Sequence, residues 1–126
     1  MNLREYLKTY TIITDGAFGT YYAEKYGTNE LPELANTAHP ERVMEIHLEY
    51  ISAGAAYIRT NTYAANSAML SQDENEVMQN LESAVKIAQA AAALVKKDEP
   101  VFIAGDIGPV QGMVGFEKVQ NEQEYV

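Results

Sequence analysis

Apolar positions along this chain switch between two periods. Three short β-rich runs, Thr11-Ile12-Ile13-Thr14, Ala56-Tyr57-Ile58 and Val101-Phe102-Ile103-Ala104, each end in small or polar residues. Runs of that kind, closed by glycine and polar side chains, read as strands that stop at loops. Between them lie stretches with helical spacing. In residues 41–53, Val43, Ile46, His47, Tyr50 and Ile51 recur on one helical face. Pro40 suits the first turn, where its missing N–H costs nothing, Glu41 complements the helix dipole, and Gly54 closes the segment. In residues 76–96 the stripe is Val77, Leu81, Ala84, Val85, Ala88, Ala92 and Val95. Ser71-Gln72-Asp73-Glu74 fits a capping box, with Asp73-Glu74-Asn75-Glu76 as an alternative start. Ala90-Ala91-Ala92-Ala93 combines high helix propensity with a thin profile for close packing. Lys96 and Lys97 suit the negative end of the dipole. Shorter helices are expected over residues 3–10 and 20–26, the second ended by Gly27.

The order strand, helix, strand, helix, strand predicts parallel strands joined by right-handed crossovers. In such folds ligands gather at the carboxyl ends of the strands. Three polar clusters fall at those ends: Asp15-Gly16-Ala17-Phe18-Gly19-Thr20, Arg59-Thr60-Asn61-Thr62, and Gly105-Asp106-Ile107-Gly108-Pro109. Gly16 lets backbone N–H groups come close to a ligand. A carboxylate beside exposed N–H groups can hold an ammonium with one and a carboxylate with the other, as an amino acid requires.

Length and charge narrow the field. A chain of 126 residues makes one modest domain, and 47% hydrophobic content is that of a globular protein. A net charge of −9 argues against nucleic acid and against an anionic membrane surface. No apolar run reaches the roughly 20 residues a membrane span needs. Met1-Asn2-Leu3-Arg4-Glu5 lacks the apolar core of a signal peptide, so a cytoplasmic location is expected. The chain has no Cys, which removes disulfides and thiolate metal sites from within it. Neither a Gly-x-x-x-x-Gly-Lys loop nor Gly-x-Gly-x-x-Gly is present, so phosphate chemistry is set aside. His47, on an apolar stripe, reads as a structural histidine. Arg59 reads as a salt-bridging residue, and Asn61 and Asn66 as caps or turn residues. Asp106 reads equally as a loop-stabilising acid or a site residue. Of nine tyrosines, Tyr63 is placed to line a pocket, while Tyr21, Tyr22 and Tyr26 pack under the first loop.

The motifs Asp15-Gly16-Ala17-Phe18-Gly19-Thr20, Pro32-Glu33-Leu34-Ala35-Asn36, His39-Pro40-Glu41, His47-Leu48-Glu49-Tyr50, Ala53-Gly54-Ala55, Thr60-Asn61-Thr62-Tyr63-Ala64-Ala65-Asn66 and Ala104-Gly105-Asp106-Ile107-Gly108-Pro109 resemble, in order and spacing, those of the homocysteine S-methyltransferase domain. The resemblance implies a (β/α)8 barrel, a fold of about 250 residues. Residues 1–126 are then expected to be its N-terminal part, about three βα units, with no complete second domain. The implied parent activity is methyl transfer to the thiol of homocysteine, giving methionine. The donor stays open among methyltetrahydrofolate acting through cobalamin, S-methylmethionine and a betaine. By resemblance, Asp15 faces the substrate ammonium, the N–H groups of Gly16 and Ala17 meet its carboxylate, and Thr60, Asn61 and Thr62 form the floor of the pocket. Arg59 stands where relatives carry Glu or Gln, and Asp106 where many carry Ser or an apolar residue. The family's thiol-activating zinc sits on cysteines of later strands, so the chain itself is expected to hold no metal ligand and no catalytic residue. Alone it is expected to be inactive and to self-associate through open sheet edges. The alternative is a non-catalytic half barrel or an amino-acid-binding module.

Overall fold

The structure is a computed structural model that describes residues 2–95 and 98–110. Two strands, β1 (Tyr57–Arg59) and β2 (Phe102–Ala104), pair in parallel with Ile58 opposite Ile103. The expected strand around Ile12 is reduced to a single parallel bridge from Thr14 to Tyr57. Two bonds make this bridge: Asp15 N–H donates to Tyr57 O at 2.9 Å, and Ala56 N–H donates to Ile13 O at 2.8 Å. The first run therefore lies beside β1 in the predicted direction, with too few rungs to form a strand. Ile13 is 67% exposed, so the described residues leave most of its side chain uncovered.

The helices follow in chain order: α1 (Leu3–Thr9), α2 (Gly19–Tyr26), α3 (Ala35–Ala38), α4 (Pro40–Ser52), α5 (Ser67–Leu70) and α6 (Glu74–Leu94). A 3-10 turn at Pro32–Leu34 leads into α3. Gly27 ends α2 at φ 62°, the left-handed cap its position predicts. The alternative start of α6 is the one formed: Asp73 caps Glu76 N–H, and the Glu76 side chain returns to Asp73 N–H. Asn66 caps α5 by accepting from Met69 N–H at 2.8 Å. Lys96 and Lys97 lie outside the described residues. The turn at Pro32–Leu34, α3 and α5 are too short for periodicity to reveal.

Helices α4 and α6 pack on one face of the sheet. Ile58 of β1 points into that core with Ile51, Ala55, Ala88 and Ala91, while Tyr57 and Arg59 face the other way. A second cluster joins Tyr22 and Ala35 to Val43, Ile46 and Ile87. The buried face of α6 is Val77, Asn80, Ala84, Ile87, Ala88 and Ala91. It is turned from the expected stripe: Val85 is 40% exposed, and Asn80 is fully buried. Lys25 ties α2 to α4 through Glu45 at 3.1 Å and through Glu49. Among the described residues, no helix is long and apolar enough to cross a membrane.

Candidate functional site

The three chain segments that exit the sheet at its carboxyl end enclose a cavity of about 320 Å3, within the range of small-molecule sites. Of the seven candidate residues, Asp15, Ala17, Thr60, Asn61, Thr62 and Asp106 line it. Gly16 lies in the same loop, packed on Tyr50, whose Oη donates to Ala17 O. A Cβ on Gly16 would lie 3.0 Å from that Tyr50 oxygen, so glycine lets loop and helix approach without displacing the ring. Tyr63, 46% exposed, also lines the cavity, as its position predicts.

Asp15 is buried, and Arg59 holds both of its oxygens. Arg59 N–H donates to Oδ2 at 3.0 Å and Arg59 Nε donates to Oδ1 at 3.0 Å. Arg59 Nη2 also donates to Gly16 O at 3.1 Å. The salt bridge read from the sequence for Arg59 is present, and its partner is the aspartate expected to face a substrate ammonium.

Thr60, Thr62 and Asp106 close a ring of hydrogen bonds. Thr62 Oγ1 donates its one proton to Asp106 O at 2.7 Å. The contact of 2.8 Å between the two hydroxyls then has Thr60 as donor. Asp106 N–H in turn donates to Thr60 Oγ1 at 3.3 Å. The ring fastens the loop after β2 to the end of β1 and so fixes where the Asp106 side chain starts.

Asn61 is held just as firmly. Its Nδ2 donates to Pro32 O at 2.8 Å and to Asn36 Oδ1 at 3.1 Å. Asn36 Nδ2 donates to Asn61 O at 2.8 Å and to Asn80 Oδ1 at 2.9 Å. Asn80 Nδ2 donates to Glu33 O at 2.8 Å. Three buried asparagines thereby lock the Pro32–Leu34 turn, α6 and the β1 exit together. Asn36 and Asn80 had no assigned role in the sequence. The available signal was Asn80 itself, a polar residue between Val77 and Ala84 on a helical stripe.

Glu33 is the other addition. It lines the cavity, is 3% exposed, and burial pushes its carboxyl up to about 7. Its own N–H and that of Ala64 act against this shift, and Asp106 adds to it. A folded pKa above the unfolded value means that the protonated carboxyl favours the fold. That stability is complete below about 4.5, and is lost as pH rises through about 7. A shift of this size corresponds to about 3 kcal/mol. Urea unfolding of the wild type and of Glu33→Gln between pH 4.5 and 8 is expected to show the wild type losing stability relative to the variant as pH rises. Parallel pH profiles would overturn the assignment. His47 behaves in the opposite sense: it is fully buried against Phe18, and burial drives its pKa down to about 4 against a smaller pull from Asp15. It is therefore uncharged at neutral pH and sits on the buried face of α4, where its stripe predicts.

The donors present do not fit a thiolate zinc. The chain has no Cys, and among the described residues no group of three or more His, Asp or Glu is placed to hold an ion.

A family model described as Homocysteine S-methyltransferase matches residues 12–125. Two solved structures of the homocysteine methyltransferase MmuM from Escherichia coli resemble the chain. The metallated form does so with 26% identity and a TM-score of 0.70, over 85% of this chain and 41% of its own. The oxidised form does so with 29% identity and a TM-score of 0.69, over 85% and 40%. The chain spans about two fifths of the length of these structures.

Proposed function

This chain belongs to the homocysteine S-methyltransferase family, and on that premise we propose that it builds part of the homocysteine site of an enzyme that transfers a methyl group to the homocysteine thiol, giving methionine. The observation that carries the reading is the cavity at the carboxyl ends of parallel segments, where Asp15, Ala17, Thr60, Asn61, Thr62 and Asp106 meet. The parallel order supports a place in the first βα units of a (β/α)8 barrel, whose chemistry sits at that end. Residues 1–126 form its N-terminal portion.

A free thiol has a pKa near 8.5 and is mostly protonated at neutral pH. The share of this chain is to hold the amino-acid end of the substrate so that the sulfur is presented in one geometry, and such positioning can remove a large part of a barrier. Acids of the cavity meet the ammonium, and N–H groups of the Gly16–Ala17 loop meet the carboxylate. The ring of Thr60, Thr62 and Asp106 and the three asparagines keep these groups from shifting when ligand binds.

The test is calorimetric titration of homocysteine into the protein at its natural full length, with an assay of methionine formation from methyltetrahydrofolate, S-methylmethionine and betaine. Binding and turnover with one donor are expected. A folded protein that binds no homocysteine and forms no methionine from any donor would overturn the reading. The 126-residue chain alone is expected to show no turnover, and to self-associate on sedimentation, because the outer edge of β2 has no strand neighbour among the described residues. Turnover by the chain alone with stoichiometric zinc, or a strictly monomeric species, would refute that part.

A further inference from the structure

We propose that Glu33 is a catalytic residue, the base that takes the proton from the homocysteine thiol as the sulfur attacks the methyl donor. The inference rests on the homocysteine reading above and concerns the sulfur end of the substrate. Among the described residues, the acids lining the cavity are Asp15, Glu33 and Asp106. Asp15 and Asp106 come from the sheet exits, and Asp15 forms an ion pair with Arg59. Glu33 comes from the turn before α3, and its chain neighbours Leu31 and Pro32 line the cavity together with Phe18, Ala64 and Met69. That apolar lining suits the thioalkyl arm of homocysteine, and Glu33 is the carboxyl set within it.

The carboxyl is built to exchange a proton. Glu33 is 3% exposed yet lines the cavity, and it forms no ion pair among the described residues. The N–H groups of Glu33 and Ala64 orient it, and two such bonds leave acceptor sites free on a carboxylate. Its main chain is anchored separately, with Asn80 Nδ2 donating to Glu33 O at 2.8 Å. Burial, with a smaller push from Asp106, brings the carboxyl to about 7. A base there is closer to a thiol near 8.5 than an ordinary carboxylate is. Of the other titratable groups in the lining, Asp15 and Arg59 are paired with each other, and Tyr63 completes the set. In the step, the S–H bond breaks and an O–H bond forms on Glu33, with the electron pair left on sulfur. That pair forms the bond to the methyl carbon as the donor departs with the pair of its own bond to that carbon. Glu33 then releases the proton to water.

Selenohomocysteine separates a base from a structural residue, because a selenol is already ionised at neutral pH and needs no base. The natural full-length protein and its Glu33→Gln variant are assayed at saturation from about pH 5.5 to 8.5, with the methyl donor that supports turnover. Homocysteine affinity is measured in parallel by calorimetry. With homocysteine, the variant is expected to lose about a hundredfold in kcat while its affinity stays within about threefold of the wild type. With selenohomocysteine, the loss in kcat is expected to stay within about threefold. The wild-type kcat for homocysteine is expected to rise with pH through about 7, as Glu33 gives up its proton, and the variant is expected to lack that limb. Equal losses with both nucleophiles, or pH profiles of the same shape, would overturn the assignment. If the wild type methylates homocysteine but this pattern fails, the Glu33 assignment falls alone. If the wild type neither binds nor methylates homocysteine, the reading beneath it falls too.

Discussion

Replacing Asn36 by alanine is expected to destabilise the fold by about 3–5 kcal/mol, among the largest effects for a single polar residue. Asn36 is 1% exposed and sits between two other buried asparagines. Its loss removes the donor to Asn61 O and to Asn80 Oδ1, and the acceptor for Asn61 Nδ2. Each buried polar group left without a partner costs about 1–3 kcal/mol, and members of one network do not add simply. Water cannot repair the loss cheaply where Asn80 is fully buried. Urea unfolding followed by circular dichroism gives the number. A loss below about 1 kcal/mol would mean that the three asparagines find other partners and that the network is not what joins the turn, the long helix and the β1 exit.

A methyl group at Gly108 is expected to disturb both the fold and ligand binding. A Cβ there would lie 2.5 Å from Tyr63 O and 2.7 Å from a Tyr63 ring carbon. The ring can turn, but the backbone oxygen cannot, and it also accepts from Gly108 N–H at 3.0 Å. The loop after β2 must move away and carry Asp106 with it. Gly108→Ala should cost about 2 kcal/mol, typical of forcing an extra methyl into a packed site, and weaken homocysteine binding on the order of tenfold. Gly105→Ala is the control, because among the described residues a Cβ at Gly105 meets nothing within 4 Å. Equal behaviour of the two variants would show that the approach of Gly108 to Tyr63 does not hold the site.

The longer helices and the site's location were legible because both follow from local chemistry. Pro40, Gly27 and the Asp73–Glu76 box set helix ends through bonds that span at most a few residues. The parallel order placed the Asp15, Asn61 and Asp106 clusters at one end of the sheet. The bonding within the site was not legible. The turned face of α6 depends on Asn80 reaching Asn36 and Glu33, a partnership that no period in the sequence encodes. The run at Ile12 has strand composition, but strand formation depends on neighbours along its whole length, and among the described residues it forms a single bridge, at Thr14. Asp15 reads as a free carboxylate in a loop until Arg59, 44 positions away, is seen to hold it.

The bonds that build the site also fix the order in which it can form. Asp15 to Arg59 spans 44 positions, Asp106 to Thr60 spans 46, and Asn80 to Glu33 spans 47. Helices α4 and α6 close through contacts between near neighbours, whereas each site bond must first meet the entropy of closing a long loop. Helical signal should therefore develop early in refolding, while the cavity forms only when the sheet exits have come together. A polypeptide emerging during synthesis would keep both helices without a binding site until β2 has docked beside β1. The affinity for ligand is thus a property of the last contacts made, and a bound ligand would act on the final step of folding more than on any earlier one.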